Sequence, residues 1–256
     1  MIFETHAHYD DEAFENDRDL LIKELLSGTI CSIINVGASL ASTKASIQLA
    51  QTHENVFAAA GVHPSEISEL DETSFAWLRE QANKKQVVAI GEIGLDYYWE
   101  KDKNAQKEQR DWFVRQMNLA KECQLPIIIH SRDAAEDTLQ AMKDAHAEEI
   151  PGVIHCYSYS PELAKEFVSM GYYIGVGGVV TFKNAKKLTE TVKQIPLERI
   201  LLETDAPYMA PEPFRGKRND SGKLPYVAKK IAELKGIPTQ EVIRVTRQNA
   251  RLLFRV

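Results

Sequence analysis

Cysteine is scarce in this chain: Cys31, Cys123 and Cys156 are all there is among 256 residues. They are too few and too scattered for a disulfide framework or a zinc site of paired cysteines. Long apolar runs are missing as well, and no stretch approaches the ~18 residues a membrane span needs. The opening segment Met1-Ile2-Phe3-Glu4-Thr5-His6 lacks the basic and then apolar regions of a secretory signal. Basic charge is in deficit, with 31 Lys and Arg against 37 Asp and Glu and a formal net charge of −6. A protein that coats duplex DNA through its backbone is usually basic, so that role is disfavoured for the whole molecule, though a local basic patch is allowed. These absences exclude the secreted, membrane and disordered classes and predict a chain of the reducing cytoplasm. The remaining composition, 44% hydrophobic and 27% charged, is that of a globular protein able to bury its core without a covalent staple.

Short apolar runs alternate with longer amphipathic stretches along the chain. The runs are Met1–Glu4, Ile30–Val36, Val56–Gly61, Val87–Gly91, Pro126–Ile129, Gly152–Ile154, Tyr172–Gly175 and Arg199–Leu202. Helical patterns lie near 12–27, 40–53, 73–83, 104–124, 133–147, 161–170, 184–194 and 224–235, with a last one over 239–253. Most runs lack strict alternation, as strands covered on both faces do. Eight strand–helix units in this length predict an α/β fold, a (β/α)₈ barrel forming a single domain over 1–256. A doubly wound open sheet is the structural alternative, but the glycine-rich turn after its first strand is missing. The irregular stretch 207–225 follows the eighth strand and reads as a long loop rather than a domain boundary.

Active sites of such barrels lie at the C-terminal ends of the strands. Strand one leads into Thr5-His6-Ala7-His8, strand three into Gly61-Val62-His63-Pro64 and strand four into Gly91-Glu92-Ile93-Gly94. Strand five ends in His130, strand six in His155, and strand eight in Leu202-Glu203-Thr204-Asp205. His6 and His8 share parity, so both rings can face the barrel mouth. A single histidine beside a buried strand is more often a hydrogen-bonded core residue than a ligand. Six groups on one rim are different, because burying them without a cation leaves charges unpaired at several kcal/mol each. His6, His8, Glu92, His130, His155 and Asp205 exceed the needs of one tetrahedral ion, whereas two divalent ions sharing a carboxylate use them all. Imidazole suits zinc, manganese, cobalt or nickel, and magnesium fits the carboxylate-rich half better.

Taken in order, these motifs resemble the TatD family of metal-dependent deoxyribonucleases, a branch of the amidohydrolase-like TIM barrels. The resemblance rests on Glu4-Thr5-His6-Ala7-His8, Gly61-Val62-His63-Pro64, Gly91-Glu92-Ile93-Gly94-Leu95-Asp96-Tyr97-Tyr98, His130-Ser131-Arg132-Asp133-Ala134, His155-Cys156-Tyr157-Ser158 and Glu203-Thr204-Asp205-Ala206-Pro207-Tyr208. Arg215-Gly216-Lys217-Arg218-Asn219 continues it, and it runs to about Phe254, essentially the whole chain. It implies the six metal ligands just named, with Glu92 as the bridge. Two departures stand out: Glu4 replaces a commoner aspartate, and Cys156-Tyr157-Ser158-Tyr159-Ser160 replaces a version with Phe and Gly. Glu92 sits where other amidohydrolase branches carry a carboxylated lysine, which lowers the weight of lactonase and phosphotriesterase readings.

The activity implied is hydrolysis of DNA phosphodiesters by a metal-activated water, 3′→5′ and on single strands or chain ends, with no membrane and no obligate protein partner. Asp205 is the candidate general base and Glu92 the second catalytic carboxylate. His63 either orients the scissile phosphate or caps its own loop beside Pro64. Arg218 leads a basic cluster with Arg215, Lys217 and Lys223 that either holds flanking phosphates or is a solvated face. Tyr97, Tyr98 and Trp99 either stack unpaired bases or anchor their loop. Arg132 meets phosphate or pairs with an acid such as Asp133. Glu203 is either a partner behind the site or a barrel-layer residue, and Cys156, of opposite parity to His155, reads as packing. Two alternatives remain: a D-aminoacyl-tRNA deacylase using the same dinuclear site, suggested for some relatives, and a non-catalytic metal-dependent binding protein.

Overall fold

Each apolar run becomes a strand in the computed structural model, which describes every residue from Met1 to Val256. The strands are β1 (Ile2–Ala7), β2 (Ile30–Val36), β3 (Val56–Ala60), β4 (Val87–Asp96), β5 (Ile127–Arg132), β6 (Gly152–Ile154), β7 (Tyr173–Val176) and β8 (Ile200–Leu202). Between and after them run α1 (Arg18–Ser27), α2 (Leu40–Thr52), α3 (Glu72–Ala82), α4 (Lys103–Cys123), α5 (Ala135–Asp144), α6 (Pro161–Ser169), α7 (Lys186–Gln194), α8 (Leu224–Lys235) and α9 (Thr239–Phe254). The strands pair in sequence order, every adjacent pair parallel. A parallel bridge between Ala7 and Ala206 returns the sheet to its start. Asp205 N–H donates to the His6 carbonyl at 2.9 Å and His8 N–H to that of Ala206 at 2.8 Å. The fold is the (β/α)₈ barrel. No helix is long and apolar enough to cross a membrane.

The core divides as the barrel geometry requires. Phe3, Ile34, Val36, Ala59, Val88, Ile128, Val153 and Leu201 form a small inner cluster that meets Ala250, Leu253 and Phe254 of α9. A larger cluster joins the outward faces of the strands to the helices. Inward parity is then continued by polar residues: Ile128 leads to His130, Val153 to His155, and Leu201 to Glu203 and Asp205. Apolar packing at one end of the cylinder thus fixes the heights of the polar groups at the other.

Three strands run beyond their apolar runs. β1 reaches Ala7, β4 reaches Asp96 and β5 reaches Arg132, so His6, Glu92 and His130 lie within strands rather than after them. The gain in β4 and β5 is mutual, with Gly94 opposite His130, Leu95 opposite Ser131 and Asp96 opposite Arg132. Gly94 permits it: its φ is 149°, and a Cβ there would lie 1.9 Å from the His130 carbonyl oxygen. The pattern over 12–27 splits into a 3₁₀ turn at Glu12–Phe14 and α1. Arg18 donates to the carbonyls of Tyr9, Asp10 and Asp11 and holds the chain in that turn. The pattern over 133–147 begins later, at Ala135, because Asp133 takes a positive φ of 52°.

Candidate active site

The six expected ligands meet at the C-terminal mouth of the barrel, with Glu92 as the hub. Its Oε1 lies 2.8 Å from His130 Nδ1, 3.6 Å from His155 Nε2 and 3.8 Å from His63 Nε2. Its Oε2 lies 3.5 Å from His6 Nε2 and 3.6 Å from His8 Nε2. Asp205 Oδ1 stands 3.4 Å from His8 Nε2 and 3.8 Å from the Nε2 atoms of His6 and His155. The Nε2 atoms of His6 and His8 are 3.1 Å apart, and the His6 ring stacks on His155 with centroids 3.5 Å apart.

This donor set fits divalent cations. Ligand atoms about 2.1 Å from one tetrahedral ion lie about 3.4 Å from each other, close to the spacings just given. His6 Nδ1 is buried without a hydrogen-bond partner, so the shared His6 and His8 contact does not satisfy the rings by itself. Five imidazoles round one buried and one partly buried acid would be costly without a cation.

Charge in the cluster points the same way. Burial works against ionisation of Glu92, but the fields of His63 and His155 and the hydrogen bond from His130 hold it well below the usual carboxylate range. Asp205 is lowered too, burial being outweighed by His8 and His155. Burial also opposes charge on His8 and His155. The Asp205 hydrogen bond and Glu92 nevertheless carry His8 up to about 9, and Glu203 and Glu92 carry His155 up to about 10. His63 goes the other way, pushed down to about 4 by burial and by His130. The acids therefore stay ionised and draw positive charge inward, which bound cations satisfy better than protons.

Around this centre several open readings resolve. His63 does two things: Nδ1 accepts from Ser65 N–H at 3.1 Å and caps the turn Pro64–Glu69, while Nε2 faces Glu92. Glu203 sits behind His155, its Oε1 3.3 Å from Nδ1 without an aligned hydrogen bond and accepting from Cys156 N–H at 2.6 Å. The packing role expected for Cys156 is corrected: its φ of 45° breaks strand alternation. Its Sγ lies within 4.8 Å of the ligand atoms of His155 and Asp205. Arg218 is held by both carboxylate oxygens of Asp17, at 2.8 and 2.6 Å, and by the Ala13 carbonyl. Lys223 pairs with Asp220, and Arg215 lies over the Phe182 ring. Much of the expected basic patch is thus engaged locally.

Two contributors escaped the sequence reading. Asp96 is buried, and its Oδ2 lies 3.1 Å from His130 Nε2, fixing the ring whose other nitrogen meets Glu92. Its parity with Glu92 and Gly94 was the available signal. Glu4, which stands in place of a commoner aspartate, accepts from the N–H groups of His6 at 3.1 Å and Thr204 at 3.0 Å, tying β1 to the segment that follows β8.

A parallel (β/α)₈ barrel whose mouth gathers imidazoles around two carboxylates has the fold and donor set of a metal-dependent hydrolase. Within that class the chain belongs to the TatD family: the model described as TatD related DNase matches residues 3–255. The metal-dependent hydrolase YabD of Bacillus subtilis, itself described as uncharacterized, is 42% identical over 256 residues and the full length of both chains. The 3′-5′ ssDNA/RNA exonuclease TatD of Cronobacter sakazakii is 34% identical, covering 99% of this chain and 97% of its own. The crystal structure of YjjV, a TatD homologue from Escherichia coli K12, superposes with a TM-score of 0.92 at 30% identity, covering 100% of this chain and 98% of that one.

Proposed function

We propose that this hydrolase cleaves phosphodiester bonds of DNA, as a 3′→5′ exonuclease acting on single strands, with two divalent ions held by His6, His8, Glu92, His130, His155 and Asp205. The observation that carries the reading is Glu92, one carboxylate within 4 Å of five imidazoles from four stretches of chain. The Cronobacter relative, named for single-stranded nucleic acid, supports the substrate class. Zinc, manganese or magnesium, when bound, supplies Lewis-acid charge that acidifies water and offsets negative charge on a phosphoryl oxygen.

The protein groups divide the remaining work. Asp205 is the most solvent-accessible of the ligand set, its side chain 18% exposed against 6% for Glu92 and 1% for His6. Held ionised, it takes the proton of the attacking water as that water's oxygen bonds to phosphorus, and the bond to the leaving 3′ oxygen breaks, that oxygen recovering a proton from solvent. Its positive φ of 58° and the bond from its N–H to His6 aim the carboxylate across the mouth. Glu92 stays buried and balances charge. His63, kept neutral with Nδ1 accepting from Ser65, carries its proton on Nε2 and donates one hydrogen bond at the rim without adding charge.

An oligonucleotide panel tests this. The expected result is metal-dependent shortening of a 5′-labelled single strand from its 3′ end, abolished by chelator and by His130→Ala. Asp205→Asn should lower kcat by about 10²–10⁴ while the purified protein keeps its metal. Turnover of no phosphodiester under saturating manganese, zinc or magnesium would overturn the reading.

A further inference from the structure

Immediately after β4 the chain presents two large aromatic rings to solvent. Tyr98 is 44% exposed and Trp99 70%, packed edge to face with centroids 4.7 Å apart. Neither ring is needed to anchor its loop, because other groups hold it. Asp96 Oδ1 accepts from the N–H groups of Tyr98 at 2.9 Å and Trp99 at 3.1 Å. The Tyr97 hydroxyl donates to Asp137 at 2.9 Å. Because Asp96 also holds His130, the rings keep a fixed offset from the cluster.

Arg132, at the end of β5, lies over both rings, its guanidinium carbon 3.9 Å from the Tyr98 centroid and 5.6 Å from that of Trp99. It has no acidic partner, Asp133 included; the neighbouring acids pair with histidines instead. A guanidinium resting on aromatic rings keeps edge N–H groups free for an anion. Arg132 stands two residues beyond His130 on β5, opposite Asp96, so this cation shares the sheet face that carries the cluster. Beside Trp99 opens a hollow of about 420 Å³ lined by Pro64, Ser65, Ile67, Asp96 and Gln109. Its far wall is the turn that His63 caps.

We propose that Trp99, Tyr98 and Arg132 form a nucleotide subsite, in which the Trp99 indole stacks one unpaired base and Arg132 holds the phosphate attached to it. The inference rests on the nucleic-acid reading above and gives it a residue basis. Both faces of a base inside a duplex are covered by its neighbours, so only a single strand can offer one to Trp99.

The test uses full-length, manganese-loaded protein and a fluorescently labelled eight-nucleotide thymidine strand with hydrolysis-resistant phosphorothioate linkages. A matched series carries one abasic position each. Trp99→Ala should raise Kd about ten- to a hundredfold, and Trp99→Phe should recover most of the loss. One abasic position should cost the native protein a similar factor and cost Trp99→Ala little more. Arg132→Gln should reduce the slope of log Kd against log salt by about 0.7, one single-strand phosphate contact. No binding by the native protein, a Trp99→Ala Kd within twofold of it, or equal abasic penalties in both would overturn the subsite. Cleavage of the unmodified strand is scored separately. Its absence with the binding pattern intact overturns the nuclease reading alone, and its presence without the pattern overturns the subsite alone.

Discussion

Glu4 is buried in the middle of β1 with only one of its two oxygens hydrogen-bonded. Burial pushes its pKa up to about 8, against the hydrogen bonds from Thr204 and His6. The folded chain therefore holds this proton more tightly than the unfolded chain, whose carboxyl ionises near 4.5. The resulting stabilisation is full below about pH 4.5 and is lost as pH rises through about 8. Thermal unfolding of metal-free protein from pH 5 to 8 checks this: Tm should fall more steeply for the native chain than for Glu4→Gln, which cannot ionise. Parallel Tm curves for the two proteins would show that Glu4 does not titrate in this range. The same scale shows why some residues resisted reading. Arg132 and Arg218 look equivalent as letters, yet Arg218 has Asp17 beside it and Arg132 has only rings.

Among the elements, the β4–β5 pair does most to place the site. Its extension carries Glu92, Asp96, His130 and Arg132 onto one surface, and it depends on the close approach at Gly94. Gly94→Ala should part the strands, costing about 1–3 kcal/mol from overpacking, with a Tm several degrees lower and weaker metal uptake as His130 leaves Glu92. Unchanged Tm and metal content would show that the approach is not needed. The apolar run of the fourth strand stops at Gly91, so the sequence places Gly91-Glu92-Ile93-Gly94 at the strand's end. The strand continued for a tertiary reason, its pairing with β5, that no local pattern records. The break before α1 was hidden similarly, since Arg18 binds carbonyls that lie earlier in the chain.

For the molecule as a whole, the order of eight strands and the convergence of His6, His8, Glu92, His130, His155 and Asp205 were legible. Both follow from periodicity and from where polar residues succeed apolar runs. The groups behind the ligands were less so. Glu203 could be named but its partners could not, because His155 and Cys156 arrive from another strand, and the cap His63 puts on its own loop was legible whereas its approach to Glu92 was not. The net charge of −6 and the local pairing of Arg218 and Lys223 leave the proposed nucleic-acid substrate to be held by a few groups at the mouth rather than by a broad basic face. Binding should accordingly be far less salt-sensitive than that of proteins making many phosphate contacts. At the centre of the account stands the Glu92 hub as a shared metal ligand. Calorimetric titration of metal-free protein with manganese measures it most directly: the native chain should take up two equivalents and Glu92→Ala at most one, whereas no uptake by the native chain, or undiminished uptake by the variant, would contradict it.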